Sequence, residues 1–281
     1  MNISILKKKI QNRIIFMYFE SISRFYYSNR YFYQKKIRNN FRKRSKNYIF
    51  KNYPEFYGLI KKINNEVSLT NDDSLSLWGD ALFLYNFVIE KKPRKILEFG
   101  SGVSSIALAY ACNYLKNKHN LLCEVVSIEE NKKYLENIVI PNFPSKLNQY
   151  IDFKYSSLQL REYQNSSGYS AYGVSFKNTP DFSYDLIYVD APQVKVGIYN
   201  DENIFLDKKL LNNKPFDSDV LNLMPSLKKD AHIIIDQRID TVWKLKKFIQ
   251  LGNNWKYFFS QRKSIMKYNG KFREFYFKEA N

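Results

Sequence analysis

The stretch Lys95-Ile96-Leu97-Glu98-Phe99-Gly100-Ser101-Gly102-Val103-Ser104-Ser105 constrains this chain more than any other. Ile96, Leu97 and Phe99 form a short apolar run closed by glycine, the pattern of a central parallel strand buried on both faces. Gly100 and Gly102 permit a tight turn and let a ligand approach the main chain. Ser104 and Ser105 can cap the helix that Ile106-Ala107-Leu108-Ala109-Tyr110 continues. A strand, a glycine turn and a helix start make the nucleotide-binding corner of a doubly wound α/β fold.

The third glycine of the dinucleotide fingerprint is absent, and Ser105 stands in its place. Glu98, at the mouth of the strand, repels a pyrophosphate and suits a cationic or amino-bearing ligand. Leu97-Glu98-Phe99-Gly100-Ser101-Gly102 resembles the first motif of the class I S-adenosylmethionine-dependent methyltransferases. Tyr184-Asp185-Leu186-Ile187-Tyr188-Val189-Asp190-Ala191-Pro192 resembles the fourth motif of that family. Two strand-end motifs in the family's order are far more specific than either alone. Between them, Glu124-Val125-Val126-Ser127-Ile128-Glu129 reads as a second parallel strand ending in an acid, 29 residues beyond Gly100.

The resemblance spans roughly residues 74–277 and implies a Rossmann-like sheet of seven strands, mostly parallel, with helices on both faces and an antiparallel C-terminal hairpin. Asn269-Gly270, between two aromatic runs, is a type I′ turn signal for that hairpin. Ile151–Tyr155 and Ala231–Arg238 read as further strands, Ser74–Lys91 and Asp219–Lys229 as helices, and Tyr169–Phe176 as a small hairpin excursion. The polar insertion 193–216 lies where insertions shape a substrate pocket.

The resemblance also assigns roles. S-adenosyl-L-methionine is the implied cofactor, with Glu98, Gly100, Ser101, Gly102 and Ser105 at its methionine end and Glu129 on the ribose hydroxyls. Ser157 stands where many relatives carry an acid for the adenine. Asp190 faces the transferred methyl group as a general base or an orienting acid. Asp236-Gln237 beside Asp190 resembles the Asp…Asp-Asn metal site of catechol-type O-methyltransferases. Gln replaces Asn there, and the segment after Asp190 lacks that family's lysine spacing. No metal is therefore assigned, and Asp190, Asp236 and Gln237 stay as the candidates for a Mg²⁺ or Ca²⁺ ion.

Charge divides the chain. Residues 1–53 carry 14 Lys/Arg against the single acid Glu20, leaving only +5 of the total +18 for the rest. This basic, aromatic arm, bounded by Pro54, is expected to be helical; residues 54–281 form the methyltransferase-like domain. The arm suits an anionic membrane surface, with cations at headgroups and aromatics at the interface. It also suits nucleic acid, or docking on a partner. No apolar run approaches the roughly 20 residues that span a bilayer. Cys112 and Cys123 lack metal-ligand spacing and fit a reducing compartment. A cytoplasmic enzyme, peripheral at a membrane, is the expectation, acting on a glycan, lipid-linked sugar or small metabolite. The alternatives are a nucleic-acid methyltransferase or binding protein, a Rossmann-like oxidoreductase, and a binding module without catalysis. The Asn/Asp-Pro-Pro-Tyr/Phe motif of base amino-methylation is missing.

Overall fold

The computed structural model describes residues 39–66, 71–180, 183–191, 215–249, 255–258, 263–268 and 275–279. Residues 1–38 of the arm, most of the insertion and the Asn269-Gly270 turn lie outside them. The helices that matter here are α1 (39–52), α2 (Pro54–Glu66), α3 (Asn71–Lys91) and α4 (Val103–His119). The described strands are β1 (Lys95–Phe99), β2 (Glu124–Glu129), β3 (Ile151–Tyr155), β4 (Leu158–Asn165), β5 (Ser170–Phe176), β6 (Leu186–Val189), β7 (Phe216–Asp217), β8 (His232–Asp236), β9 (Trp255–Phe258), β10 (Lys263–Lys267) and β11 (Phe275–Glu279).

Seven of them form one sheet in the order β3-β2-β1-β6-β8-β10-β9. The pairs from β3 to β8 are parallel, and β10 runs antiparallel between β8 and β9. This is the mostly parallel, doubly wound sheet with an antiparallel terminal hairpin that the resemblance implied. Alternation along β1 sends Leu97 and Phe99 into one core and Ile96 into the other. Helices α2, α3 and α4 cover the Ile96 face.

The opposite face is only partly helical. The helices Asp219–Leu223 and Ile239–Phe248 share it with a second, four-stranded sheet, β11-β4-β5-β7. Phe99 of β1 stacks on Phe176 of β5 with ring centroids 5.4 Å apart. The small hairpin expected at Tyr169–Phe176 is thus only the second half of a longer β4–β5 ribbon. Asn165 sets its turn: its side-chain oxygen accepts from the amides of Ser167 and Tyr169, both at 3.0 Å.

Three local expectations are corrected. The runs flanking Asn269-Gly270 do not pair with each other, because β8 and β9 already occupy both edges of β10. β11 instead joins β4 in the second sheet, and the terminal hairpin is β9–β10. The helix expected over Asp219–Lys229 stops at Leu223, since Pro225 cannot continue the hydrogen-bond ladder. The N-cap of α4 is Gly102, not a serine.

Trp78 is a core residue, 3% exposed and stacked on Tyr57. The free thiols of Cys112 and Cys123 lie 2.8 Å apart inside the fold. Among the described residues no helix is long and apolar enough to cross a membrane.

The packing of β4, β5 and the residue after β7 within the second sheet offers a stability test. A Cβ on Gly173 would lie 2.5 Å from Ser218 Cβ and 2.8 Å from the Tyr163 ring. Ser218 cannot retreat, because its hydroxyl donates to the Val174 carbonyl at 3.0 Å. Gly173→Ala is expected to cost about 1–3 kcal/mol, the usual range for overpacking, read as a lower urea midpoint at unchanged slope.

Candidate functional site

Glu98 lies on β1 with its side chain under the start of α4, fully buried. Three serines enclose it. Ser105 Oγ donates to Glu98 Oε2 at 2.6 Å, and Ser127 Oγ donates to the same oxygen at 2.7 Å. Ser127 spends its hydrogen on Glu98, so Ser101 Oγ donates in turn to Ser127 Oγ, 2.8 Å away. Ser105 Oγ also accepts from the Gly102 amide at 3.0 Å, so one hydroxyl satisfies the helix start and the acid together. The other carboxylate oxygen, Glu98 Oε1, is buried and has no hydrogen-bond partner among the described residues.

Glu129, 6% exposed, ends β2 beside this cage. Its two oxygens accept from the Ser101 amide at 2.9 Å and the Asn131 amide at 3.0 Å. Burial pushes the Glu98 carboxyl up to about 7 against the pull of the serine hydroxyls. Burial, then the neighbouring Glu130, pushes Glu129 up to about 8. Among the described residues neither acid has an ion-pair partner, so both are suited to a cationic ligand.

Gly100 turns between them at φ +95°, where a Cβ would lie 2.7 Å from Ala191 Cβ. Its amide donates to Ile128 O at 2.7 Å, and the Asp190 amide donates to Phe99 O at 2.9 Å. These bonds draw the carboxyl ends of β1, β2 and β6 together. Ser157 follows β3 next to this edge, where the amide of Ser156 donates to Glu129 O at 3.1 Å.

Sequence reasoning passed over four residues here. Ser127 is a polar residue inside an otherwise apolar buried strand, which is a readable signal. Tyr134, placed by its amide's bond to the Asn131 side chain at 3.0 Å, holds its hydroxyl 3.4 Å from where a Gly102 Cβ would be. Burial, then Glu129 and Asp190, pushes that phenol up to about 12, so it stays a neutral donor. Arg238 binds two strands at once. Its Nη2 donates to Asp190 O at 2.6 Å, Nη1 lies 3.6 Å from Asp190 Oδ1, and Nε lies 2.9 Å from Asp217 Oδ2.

Lys263 is the fourth. Its ammonium is fully buried, 2.9 Å from Asp236 Oδ1 and 3.0 Å from Asp80 Oδ1, and Tyr188 donates to Asp236 Oδ2 at 3.2 Å. The three metal candidates therefore do not come together as a ligand set. Asp236 is engaged by a lysine, while Gln237 is exposed with φ +52°. Among the described residues no group of three His, Cys, Asp or Glu is arranged to hold a metal ion.

No family model and no curated protein matches this chain. Among solved structures, an SAH-bound methyltransferase from Podospora anserina aligns with 81% of this chain and 94% of its own length, at 15% identity and a TM-score of 0.47. A methyltransferase from Geobacter sulfurreducens aligns with 80% of this chain and 95% of its own, at 12% identity and a TM-score of 0.42.

Two experiments follow from the charges. Glu98 and Glu129 hold protons more tightly folded than unfolded. The stability this adds is complete below the ordinary carboxylate range and is lost as pH rises through about 7 and 8. Glu98→Gln keeps the serine bonds and removes that loss, so its melting temperature is expected to fall less than the parent's on moving from mildly acidic to mildly alkaline buffer. Lys263→Met leaves two buried carboxylates without a counter-ion and is expected to cost about 3–5 kcal/mol near neutral pH. Burial raises Asp80 to about 6, so protonation is expected to shrink that cost in acid, measured by urea titration at two pH values.

Proposed function

We propose that this chain is an S-adenosylmethionine-dependent methyltransferase acting on an oxygen of a glycan, lipid-linked sugar or small metabolite. The observation that carries the reading is the convergence of Glu98, Glu129 and Asp190 at three adjacent strand ends around Gly100-Ser101-Gly102. The residues fit the cofactor. The unpartnered Glu98 Oε1 is an acceptor waiting for a cationic donor, and Glu129 offers a carboxylate to a ribose diol. The bare Gly100 backbone leaves no side chain between them. When bound, the cofactor supplies an electrophilic methyl group.

The protein's own work is then positioning and one proton. Asp190, with its side chain 43% exposed at the crevice, would accept the proton of the acceptor hydroxyl. Burial, then Asp236, pushes that carboxyl up, which favours its taking a proton; Arg238, 3.6 Å away, opposes the shift and fixes its backbone. Tyr134 would close the crevice over Gly102. The acid cage argues against a nicotinamide dinucleotide, whose pyrophosphate would face two carboxylates without counter-ions.

Calorimetry with S-adenosylhomocysteine tests the reading. Binding is expected, with affinity falling as pH drops through about 8 to 7 and with proton release on binding, because the ligand's positive charge restores the carboxylates. NAD is expected not to bind. Glu98→Gln should weaken S-adenosylhomocysteine roughly 10- to 100-fold, the scale of a charge-assisted hydrogen bond. Asp190→Asn should keep that affinity and lose roughly 100-fold or more of transfer from labelled cofactor to fractionated cell extract. No binding at any pH would remove the proposal.

A further inference from the structure

The outward face of α1 is basic, aromatic and exposed. Phe41, Ser45 and Ile49 recur at helical spacing and turn toward the body. Ile49 is fully buried, and Phe41 lies 3.0 Å from where a Gly79 Cβ on α3 would be. This fixes which side of α1 faces out. Two stripes run along that side, Lys43-Asn47-Phe50 and Arg44-Tyr48-Lys51, and all six residues are exposed. Phe50 is 62% and Tyr48 48% exposed, large aromatic areas to leave in water. Residues 39–54 contain five Lys/Arg and no acid. The first acid beyond them, Glu55, is taken by Lys146.

We infer that this face docks on an anionic lipid surface and sets the catalytic edge against it. Cations interleaved with exposed aromatics on one side of a helix match a planar interface, with Lys43, Arg44 and Lys51 at headgroups and Phe50 at the acyl boundary. A single-stranded nucleic acid is gripped instead in a basic groove with stacking platforms, whereas these residues share the outer side of a single helix. Position adds the second argument. Phe41 and Arg42 of α1 pack at Gly79, the residue before Asp80. Asp80 reaches Lys263, and Lys263 reaches Asp236 at the carboxyl end of β8. The start of α1 is therefore tied through α3 to the edge where Asp190 stands. A membrane under α1 would therefore sit on a helix tied to that edge, which favours a lipid-linked acceptor among the classes named above. This last step rests on the methyltransferase reading; the docking itself does not.

The test uses the full chain with phosphatidylglycerol/phosphatidylcholine vesicles and with pure phosphatidylcholine vesicles. Co-sedimentation is expected only with the anionic vesicles and should weaken with salt. K43E/R44E/K51E should reduce vesicle affinity roughly 100-fold or more, from about 1 kcal/mol per basic residue at the surface. Its S-adenosylhomocysteine affinity and circular dichroism should match the parent, because the three side chains point to solvent. Phe50→Trp should show a blue-shifted emission on adding anionic vesicles. Unchanged vesicle binding by the triple variant, no binding by the parent, or tighter binding to a single-stranded oligonucleotide than to vesicles would each overturn the docking face. Vesicle binding without S-adenosylhomocysteine binding would keep the face and remove the methyltransferase; the reverse would do the opposite. Label recovered in the lipid extract of a membrane fraction supports the lipid-linked acceptor, and label confined to soluble material overturns it.

Discussion

A carboxylate taken out of water needs a proton, a cation or a full set of donors, and the carboxyl edge of this sheet gathers many carboxylates in a small space. The chain meets this demand in two ways. Asp80 and Asp236 share the buried ammonium of Lys263, and Asp190 and Asp217 share the guanidinium of Arg238. Those acids are neutralised from within and fix shape: one set holds α3 to β8, the other holds β6 to β7. Glu98 and Glu129 are treated differently. They receive only neutral hydroxyls and amides, and among the described residues neither is ion-paired. The edge thus separates acids set against a side-chain cation from acids set against neutral donors alone.

The lysine changes what the resemblance implied about metals. A strand-end acid pair beside Asp190 suggested a divalent ion, and the structure places a side-chain cation on Asp236 instead. An ammonium offers one charge and no open coordination position, so it cannot polarise an acceptor oxygen as a metal does. It can bridge Asp236 and Asp80 and hold the covering helix in register with the sheet.

Legibility followed the range of the interactions. β1, β2 and β6 were readable because each is a short apolar run ending in an acid, and that pattern is local. The serine cage was half readable: Ser101 and Ser105 sit in the motif, while Ser127 arrives through the parallel pairing of β2 with β1. Lys263 carried no local signal. It opens the short strand Lys263-Ser264-Ile265-Met266-Lys267, and only the antiparallel pairing of β10 with β8 places it opposite Asp236. The second sheet was hidden for the same reason, since β4 finds β11 from the far end of the chain. Asn269-Gly270 misled because a turn signal states that the chain reverses, not which edge is free to receive it.

Ser105 joins the local and the long-range accounts. In a dinucleotide site the third glycine lets helix and strand pack closely and leaves the helix N-terminus open to pyrophosphate. Here the same position carries a hydroxyl that accepts from the Gly102 amide and donates to Glu98. The substitution therefore spends a helix-start donor on a side chain and stabilises an acid where an anion would otherwise sit. Glycine at 105 would remove one of the serine donors to Glu98 and the acceptor of the Gly102 amide. The residue that departs from the dinucleotide fingerprint is thus one that makes a buried acid tolerable at this strand end.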